Sequence, residues 1–178
     1  MNNGLTKSLC DVRNAIQAQQ TDGDVTFRET VCLKDDAAFT FGGPDPFNPA
    51  NIPGFTLGLD ADYWAVHLQG DLVLQSSGDV RFRLVSTDDD AIVFVNQQPL
   101  VADLIAPTSE PLCASEISQG KEASITLSAG TPHRIDIIFY EKRGNANFNL
   151  QVLLPGESDF RNLKATDLQN ETCPEGFF

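Results

Sequence analysis

The stretch Asp79-Val80-Arg81-Phe82-Arg83-Leu84-Val85 decides the fold class of this chain. Apolar and polar residues alternate along it, so that Val80, Phe82 and Leu84 fall on one face of an extended strand and the two arginines fall on the other. This pattern predicts a half-buried strand of an antiparallel sheet.

The neighbouring stretches extend this prediction to the whole chain. Ala91-Ile92-Val93-Phe94-Val95 is apolar on both faces, which predicts a strand that is covered on both sides. Turn signals stand at Ser77-Gly78 and Ala129-Gly130. Further short strand candidates occupy residues 25–33, 37–41, 55–59, 64–69, 71–75, 123–127, 133–140 and 148–153. The sequence therefore predicts an all-β fold, an antiparallel β-sandwich of the jelly-roll type with long loops.

Two segments depart from the strand pattern. Leu9, Val12 and Ile16 have the spacing of one face of a short N-terminal helix. Residues 42–53 contain four prolines and predict a long loop. We find no internal repeat and no linker, so we expect one domain over residues 1–178, with its core motifs in residues 64–154.

The charge of the chain and the motifs that it lacks disfavour several classes of function. The chain has 178 residues and a formal net charge of −13, which disfavours nucleic acid and anionic membrane surfaces as partners. No apolar run is long enough to insert in a membrane. The chain has no nucleophile elbow, phosphate-binding loop or zinc-protease helix, and its two histidines, His67 and His133, lie in predicted strands where packing roles are expected. We therefore expect no enzymatic activity.

Four widely spaced cysteines, Cys10, Cys32, Cys113 and Cys173, favour two disulfides over a zinc site. Three connectivities are possible, and the sequence does not choose among them. Disulfides indicate a secreted or cell-surface protein.

Three consecutive carboxylates, Asp88, Asp89 and Asp90, lie between the strand predicted around Phe82 and the strand predicted around Val93. Such a run repels itself unless it is solvated or gathered around a cation, so both a solvated acidic turn and a calcium site are open interpretations.

The run Thr87-Asp88-Asp89-Asp90-Ala91-Ile92-Val93 after its strand resembles the signature of the protective-antigen-like lectin domain family, which yeast flocculins and bacterial adhesins share. Its continuation through Leu100-Val101-Ala102-Asp103-Leu104 resembles the fibro-slime branch of that family. A second match, Ile137-Ile138-Phe139-Tyr140-Glu141-Lys142-Arg143-Gly144-Asn145-Ala146-Asn147-Phe148, is similar to the family's closing strand and loop.

This resemblance implies a Ca²⁺ site that binds sugar. Asp88 and Asp89 would be joined by a cis peptide and would both reach the ion. Glu141 would add a side chain, and Arg143 and Asn145 would add main-chain carbonyls, although Asn147 could take the place of Asn145. The predicted ligand-binding residues are accordingly Asp88, Asp89, Asn145 and Asn147.

The resemblance also implies binding partners, a cellular location and a larger parent protein. We expect a calcium-dependent lectin module, secreted or at the cell surface, that binds cell-surface glycans or small saccharides. We expect it to act as a monomeric domain of a larger multidomain adhesin. The alternative is a structural or protein-binding module of the same fold.

Three departures from the fibro-slime pattern affect specificity. This chain has Ile92 where that branch carries Trp, Gln97-Gln98 in place of Gly-Lys, and Ile105-Ala106 in place of a Gly pair. Residues 106–120 form a long insert that we expect at the rim of the site.

Overall fold

The computed structural model describes residues 38–41, 64–88, 90–103, 121–141 and 146–169, with the backbone alone at residues 38–41, 64–66, 88, 140, 141, 146 and 165. The predicted N-terminal helix, the proline-rich loop, the strand candidates 25–33 and 55–59 and all four cysteines lie outside the described residues. None of the helical structure in the described ranges has the length and apolar character needed to cross a membrane.

The described residues form antiparallel strands in two sheets. In chain order the strands are β1 (Ala38–Phe41), β2 (Trp64–Val73), β3 (Gly78–Asp88), β4 (Asp90–Val95), β5 (Gln98–Asp103), β6 (Glu122–Leu127), β7 (Pro132–Glu141), β8 (Ala146–Leu153), β9 (Arg161–Asn162) and β10 (Leu168–Gln169). A 3-10 turn, Ala165–Asp167, precedes β10. The first sheet has the order β1-β8-β3-β6 with β9 also on β8, and the second has the order β10-β2-β7-β4-β5. The predicted antiparallel β-sandwich is confirmed.

One hydrophobic core lies between the two sheets. Val80, Phe82 and Leu84 of β3 point into it, as their alternation predicts, and the second sheet contributes Ile137 and Phe139 of β7. The rings of Phe139 and Phe148 meet across the core with their centroids 5.6 Å apart. Fully burying a side chain of this kind contributes about 1.5–3 kcal/mol, so this core is the main source of stability.

Strand β4 is buried on both faces, as its unbroken apolar run predicts. Ala91, Val93 and Val95 belong to the core between the sheets. Ile92 and Phe94 point to the other side of the second sheet, and both are 0% exposed.

A buried polar cluster lies on that same outer side of the second sheet. The Asp136 carboxylate, on β7, is 2.9 Å from His67 Nε2 and accepts a hydrogen bond of 2.9 Å from Gln69 Nε2. The side chains of His67 and Asp136 are each only 2% exposed. Burial alone raises the pKa of Asp136, but hydrogen bonds from His67 and Gln69 and the charges of His67 and Arg134 outweigh it, so that the pKa lies below its ordinary value. His133 is also buried, so the side chains of both histidines lie inside the fold.

A tight turn joins β4 to β5 and places two non-glycine residues in the left-handed region, Asn96 at φ 50° and Gln97 at φ 67°. Asn96 is fixed there because its Oδ1 accepts a hydrogen bond from Arg134 N at 3.0 Å and its Nδ2 lies 3.2 Å from His133 Nδ1. A left-handed φ favours glycine, so Gln97 holds a conformation that costs more for a residue with a Cβ.

Two strand predictions differ from the structure. The strands expected at residues 64–69 and 71–75 are one continuous strand, β2, because Gly70 remains within the ladder with β7. β5 was not among the strand candidates, and it contains Pro99. A proline is tolerated there because β5 ends the described order of its sheet.

Candidate functional site

The chain passes between the two sheets twice at one end of the sandwich. β3 ends at Asp88 in the first sheet and β4 begins at Asp90 in the second, with one residue between them. β7 ends at Glu141 in the second sheet and β8 begins at Ala146 in the first. We call this end, where the two connections leave the sheets, the crossover end.

The backbone register brings the two connections together. Asp88 is the direct partner of Asn147, and Asp90 is the direct partner of Tyr140, which precedes Glu141. Directly opposed residues of antiparallel strands have their Cα atoms about 4.5–5.5 Å apart. Residues that are 50 and 59 positions apart in sequence therefore meet at the crossover end.

The structure places three of the six predicted site residues. The backbones of Asp88 and Glu141 lie at the crossover end, and Asn147 is described there with its side chain. Asp89, Arg143 and Asn145, together with the side chains of Asp88 and Glu141, lie outside the described residues.

Asn147 has a hydrogen-bond partner that the sequence did not reveal. Ser86 Oγ donates to Asn147 Oδ1 at 2.8 Å, and both side chains are half-buried. The contact uses the acceptor oxygen of Asn147 and not its Nδ2 donor. β3 therefore helps to orient this side chain.

A β-bulge explains why the sequence did not reveal Ser86. The register between β3 and β8 shifts between Leu84 and Ser86, so that Val85 is an extra residue, 48% exposed. Beyond the bulge, Ser86 lies opposite Asn149 and Thr87 opposite the buried Phe148. Strict alternation would have placed Ser86 on the core side with Leu84. Bulges of this kind are common beside functional sites because they turn side chains to the other face.

Thr87 shows a second effect of the bulge. Its Oγ1 is buried and has no hydrogen-bond partner. A buried hydroxyl without a partner costs about 1–3 kcal/mol. The hydrogen-bonding capacity of Thr87 is therefore unfilled near the crossover end.

The insert between β5 and β6 begins at the crossover end and returns to the first sheet beside the middle of β3. Asp103, the last residue of β5, lies opposite Ala91 at the start of β4. The Nζ of Lys121, just before β6, is 2.7 Å from Asp103 Oδ2, and the Lys121 carbonyl accepts a hydrogen bond from Leu84 N. Residues 106–120 themselves lie outside the described residues, so their predicted place at the rim stays a prediction.

The donor chemistry of the predicted residues fits Ca²⁺. Two adjacent carboxylates, a further carboxylate and main-chain carbonyls are hard oxygen donors, which calcium prefers over nitrogen or sulfur. Among the residues whose side chains are described, no three His, Cys, Asp or Glu groups come together as a metal-binding set. The shell itself consists of groups outside the described side chains, with Asn147 as the exception, and it stays a prediction.

Two antiparallel sheets with paired connections at one end define a β-sandwich domain that carries a loop-based candidate binding site. The model of the PA14 domain matches residues 52–160, which is more than half of the chain. The chain belongs to the PA14 domain family, and the family resemblance seen in the sequence is confirmed. The assignment to the fibro-slime branch stays a prediction.

Solved structures of the same fold include binding domains. The PA14 sugar-binding domain from RTX adhesin is similar with a TM-score of 0.56 and 18% identity, over 89% of this chain and 85% of that chain. The Epithelial Adhesin 6 A domain from Candida glabrata, in complex with Galβ1-3GlcNAc, is similar with a TM-score of 0.52 and 16% identity, over 72% of this chain and 62% of that chain. At these identities the likeness shows the fold alone.

A third similar structure belongs to a protein with a different name. An anti-sigma factor domain-containing protein has a TM-score of 0.59 and 18% identity, over 85% of this chain and 46% of that chain. This chain thus spans about half to two-thirds of the length of these two larger relatives, the anti-sigma protein and the Candida glabrata adhesin. No curated protein sequence matches the chain.

Proposed function

We propose that this chain is a calcium-dependent carbohydrate-binding domain of a secreted or cell-surface adhesin, with its site at the crossover end. The observation that carries the proposal is the backbone register, which sets Asp88 opposite Asn147 and Asp90 opposite Tyr140. The two sequence motifs of the family are therefore parts of one site, although they are distant in sequence.

Each residue has a role in this proposal. Asp88 and Asp89 hold the cation, Glu141 adds a carboxylate, and the carbonyls of Arg143 and Asn145 complete the protein's share. Bound calcium would supply coordination positions for two neighbouring hydroxyls of a sugar. Asn147, whose Oδ1 is engaged by Ser86, donates its Nδ2 hydrogen to a sugar hydroxyl.

The acidic character of the chain is consistent with a cation site. At a net charge of −13, the domain attracts divalent cations and repels polyanions. A shallow site of this type binds single sugars with a Kd of about 1 mM, which corresponds to about −4 kcal/mol. Display of many copies on a larger surface protein would raise the effective affinity without any new contact.

The similar structures support a saccharide partner. The RTX adhesin domain is described as sugar-binding, and the Candida glabrata domain was solved with Galβ1-3GlcNAc. The proposed partners of this chain are accordingly cell-surface glycans or small saccharides, bound by a monomeric domain of a larger chain. We propose no catalytic role for it.

The test is a glycan-array screen of the full chain clustered on beads, in millimolar calcium and again with excess chelator. We expect binding to a defined set of glycans that disappears with the chelator. Asp89→Asn should abolish both calcium uptake, measured by isothermal titration, and glycan binding. Asp79→Asn is the matched control, because Asp79 lies at the far end of β3 and bonds to Thr126.

Two results would contradict the proposal. Calcium titration that is unchanged in the Asp89 variant would remove the metal site. Absence of glycan binding in calcium would leave a structural or protein-binding module of the same fold.

A further inference from the structure

The outer side of the first sheet carries a continuous polar surface on β3 and β8. Its members point away from the core: Arg83 and Ser86 of β3, Asn147, Asn149 and Gln151 of β8, and Phe160, which precedes β9. We call this surface the β3–β8 outer face. It runs from the crossover end to Arg83, a distance of about 13 Å over the four residues from Asn147 to Gln151.

Arg83 is the exceptional residue of this face. Among the described arginines, Arg81, Arg134 and Arg161 each lie within ion-pair distance of a carboxylate. In the described part of the chain, no carboxylate lies within that distance of Arg83. Glu122 is the direct cross-strand partner of Arg83, yet its carboxylate pairs with Arg81. An arginine without a counter-ion is unexpected in a chain with 25 acidic and 12 basic residues.

The guanidinium of Arg83 is held in a fixed position. Its Cζ lies 4.0 Å from the centroid of the Phe160 ring, and its Nη2 donates to Gln151 Oε1 at 2.6 Å. Arg81 Cζ lies 5.2 Å from the same ring, so a second positive charge is close. A guanidinium stacked on an aromatic ring is pre-organised, and its planar fork matches the geometry of a carboxylate.

Hydrogen-bonding capacity on this face is unfilled. Arg83 Nε and Asn149 Oδ1 are buried and have no hydrogen-bond partner. The Oε1 atom of Gln151 accepts the hydrogen bond from Arg83, and its Nε2 makes a long contact of 3.4 Å to Asn162 Oδ1. Buried polar atoms in folded proteins almost always have a partner, so two without one on the same face are an unusual feature.

We propose that the β3–β8 outer face is a second binding site, which takes a carboxylate-bearing sugar with the carboxylate on the guanidinium of Arg83. A sugar acid has two kinds of group that this face can bind. Its carboxylate binds the arginine, and its hydroxyls form hydrogen bonds with the side-chain amides of Asn149 and Gln151. The sugar class rests on the proposed function, but the anion site needs no calcium. An oligosaccharide with a single sugar acid would span both sites, because the face is continuous with the crossover end.

The experiment is a titration of the ¹⁵N-labelled full chain, followed at the arginine Nε–H resonances by NMR, in excess chelator. The probes are glucuronic acid, glucose and acetate. We expect glucuronic acid to shift the Arg83 resonance saturably, with a Kd at least about tenfold lower than that of acetate or glucose, as one additional charge-assisted hydrogen bond implies.

Two variants test the assignment. Arg83→Gln should lose the preference for glucuronic acid over glucose, and Arg83→Lys, which keeps the charge without the fork, should lose about tenfold in affinity. Arg134→Gln removes one positive charge from the other sheet and should keep the preference, because Arg134 lies on β7 and touches none of the residues of this face. The wild-type titration alone tests the site if the Arg83 variants fail to fold.

Equal shifts with acetate and glucuronic acid would mean simple anion binding and would overturn the proposal, and so would the absence of a shift. The chelator separates this test from that of the calcium site. Glucuronic acid binding at Arg83 together with a negative glycan array in calcium would remove the proposed function and leave this site in place.

Discussion

Removing the carboxylate of Asp136 should destabilise the domain strongly and change how its stability depends on pH. The carboxylate is 2% exposed and accepts the hydrogen bonds of His67 and Gln69. Asp136→Ala would leave two buried donors without an acceptor, at about 1–3 kcal/mol each, so we expect a loss of about 2–6 kcal/mol in the free energy of unfolding. Asp136→Asn keeps one acceptor oxygen and should lose less, about 1–3 kcal/mol.

The pH dependence follows from the direction of the pKa shift. The pKa of Asp136 in the folded domain is depressed, so its contribution to stability is fully present above the ordinary pKa of aspartate and is lost as the pH falls through the folded value. The gap between wild type and Asp136→Asn should therefore be constant from about pH 7 to pH 5 and shrink below about pH 4.

Urea unfolding followed by circular dichroism from pH 3 to pH 7 measures both effects. Asp159→Ala is the control, because Asp159 is exposed and should change stability by no more than about 0.5 kcal/mol. A loss below about 0.5 kcal/mol for Asp136→Ala at pH 7, or a gap to Asp136→Asn that is the same at pH 3, would refute the reasoning.

Three further predictions concern the turn, the strand β2 and the core. Gln97→Gly should stabilise the domain by about 0.5–1 kcal/mol, because glycine adopts a left-handed φ without strain. Asn96→Gly should destabilise the domain, because the two contacts of the Asn96 side chain are lost. Thermal unfolding shows whether each variant melts above or below the wild type. Gly70→Ala should cost about 1–3 kcal/mol in urea unfolding, because the new Cβ would lie 2.7 Å from a buried leucine of β10, and an unchanged midpoint would contradict that packing. Phe139→Ala should cost about 3–5 kcal/mol in the same assay, while Val85→Ala should stay within about 0.5 kcal/mol.

Strand alternation was sufficient to predict most of the fold. The stretches around Phe82, Val93 and Ile137 became β3, β4 and β7 because each buries the face that its pattern makes apolar. The alternation led to wrong strand predictions at two positions, a glycine and a proline. Gly70 suggested a break, but it lies in a continuous strand where only a residue without a Cβ leaves room for β10. Pro99 concealed β5, since an outer strand tolerates a missing donor.

The candidate site was predictable only to the level of its backbone. The family motifs identified Asp88 and Glu141, and the register of the two sheets brings their strand ends together. The Ser86–Asn147 contact was not predictable, because it depends on the bulge at Val85, and no sequence pattern specified which residue would be extra. The sequence pattern identifies Arg83 only as one of the two polar residues of its strand, since its stacking on Phe160 and the lack of a counter-ion among the described residues depend on the three-dimensional structure.

The bulge at Val85 makes the local pairing of β3 as important as its composition. A point substitution between Leu84 and Asp88 changes one side chain, whereas pairing of the same strand without the bulge would exchange the two sides of the strand beyond Leu84. Ser86 would then turn toward the apolar interior and Thr87 toward solvent. Deletion of Val85, the extra residue, would instead leave Ser86 opposite Asn149. Homologous chains of equal length that lack the bulge would therefore present a different surface to a ligand, even where the residues on both sides of it are identical.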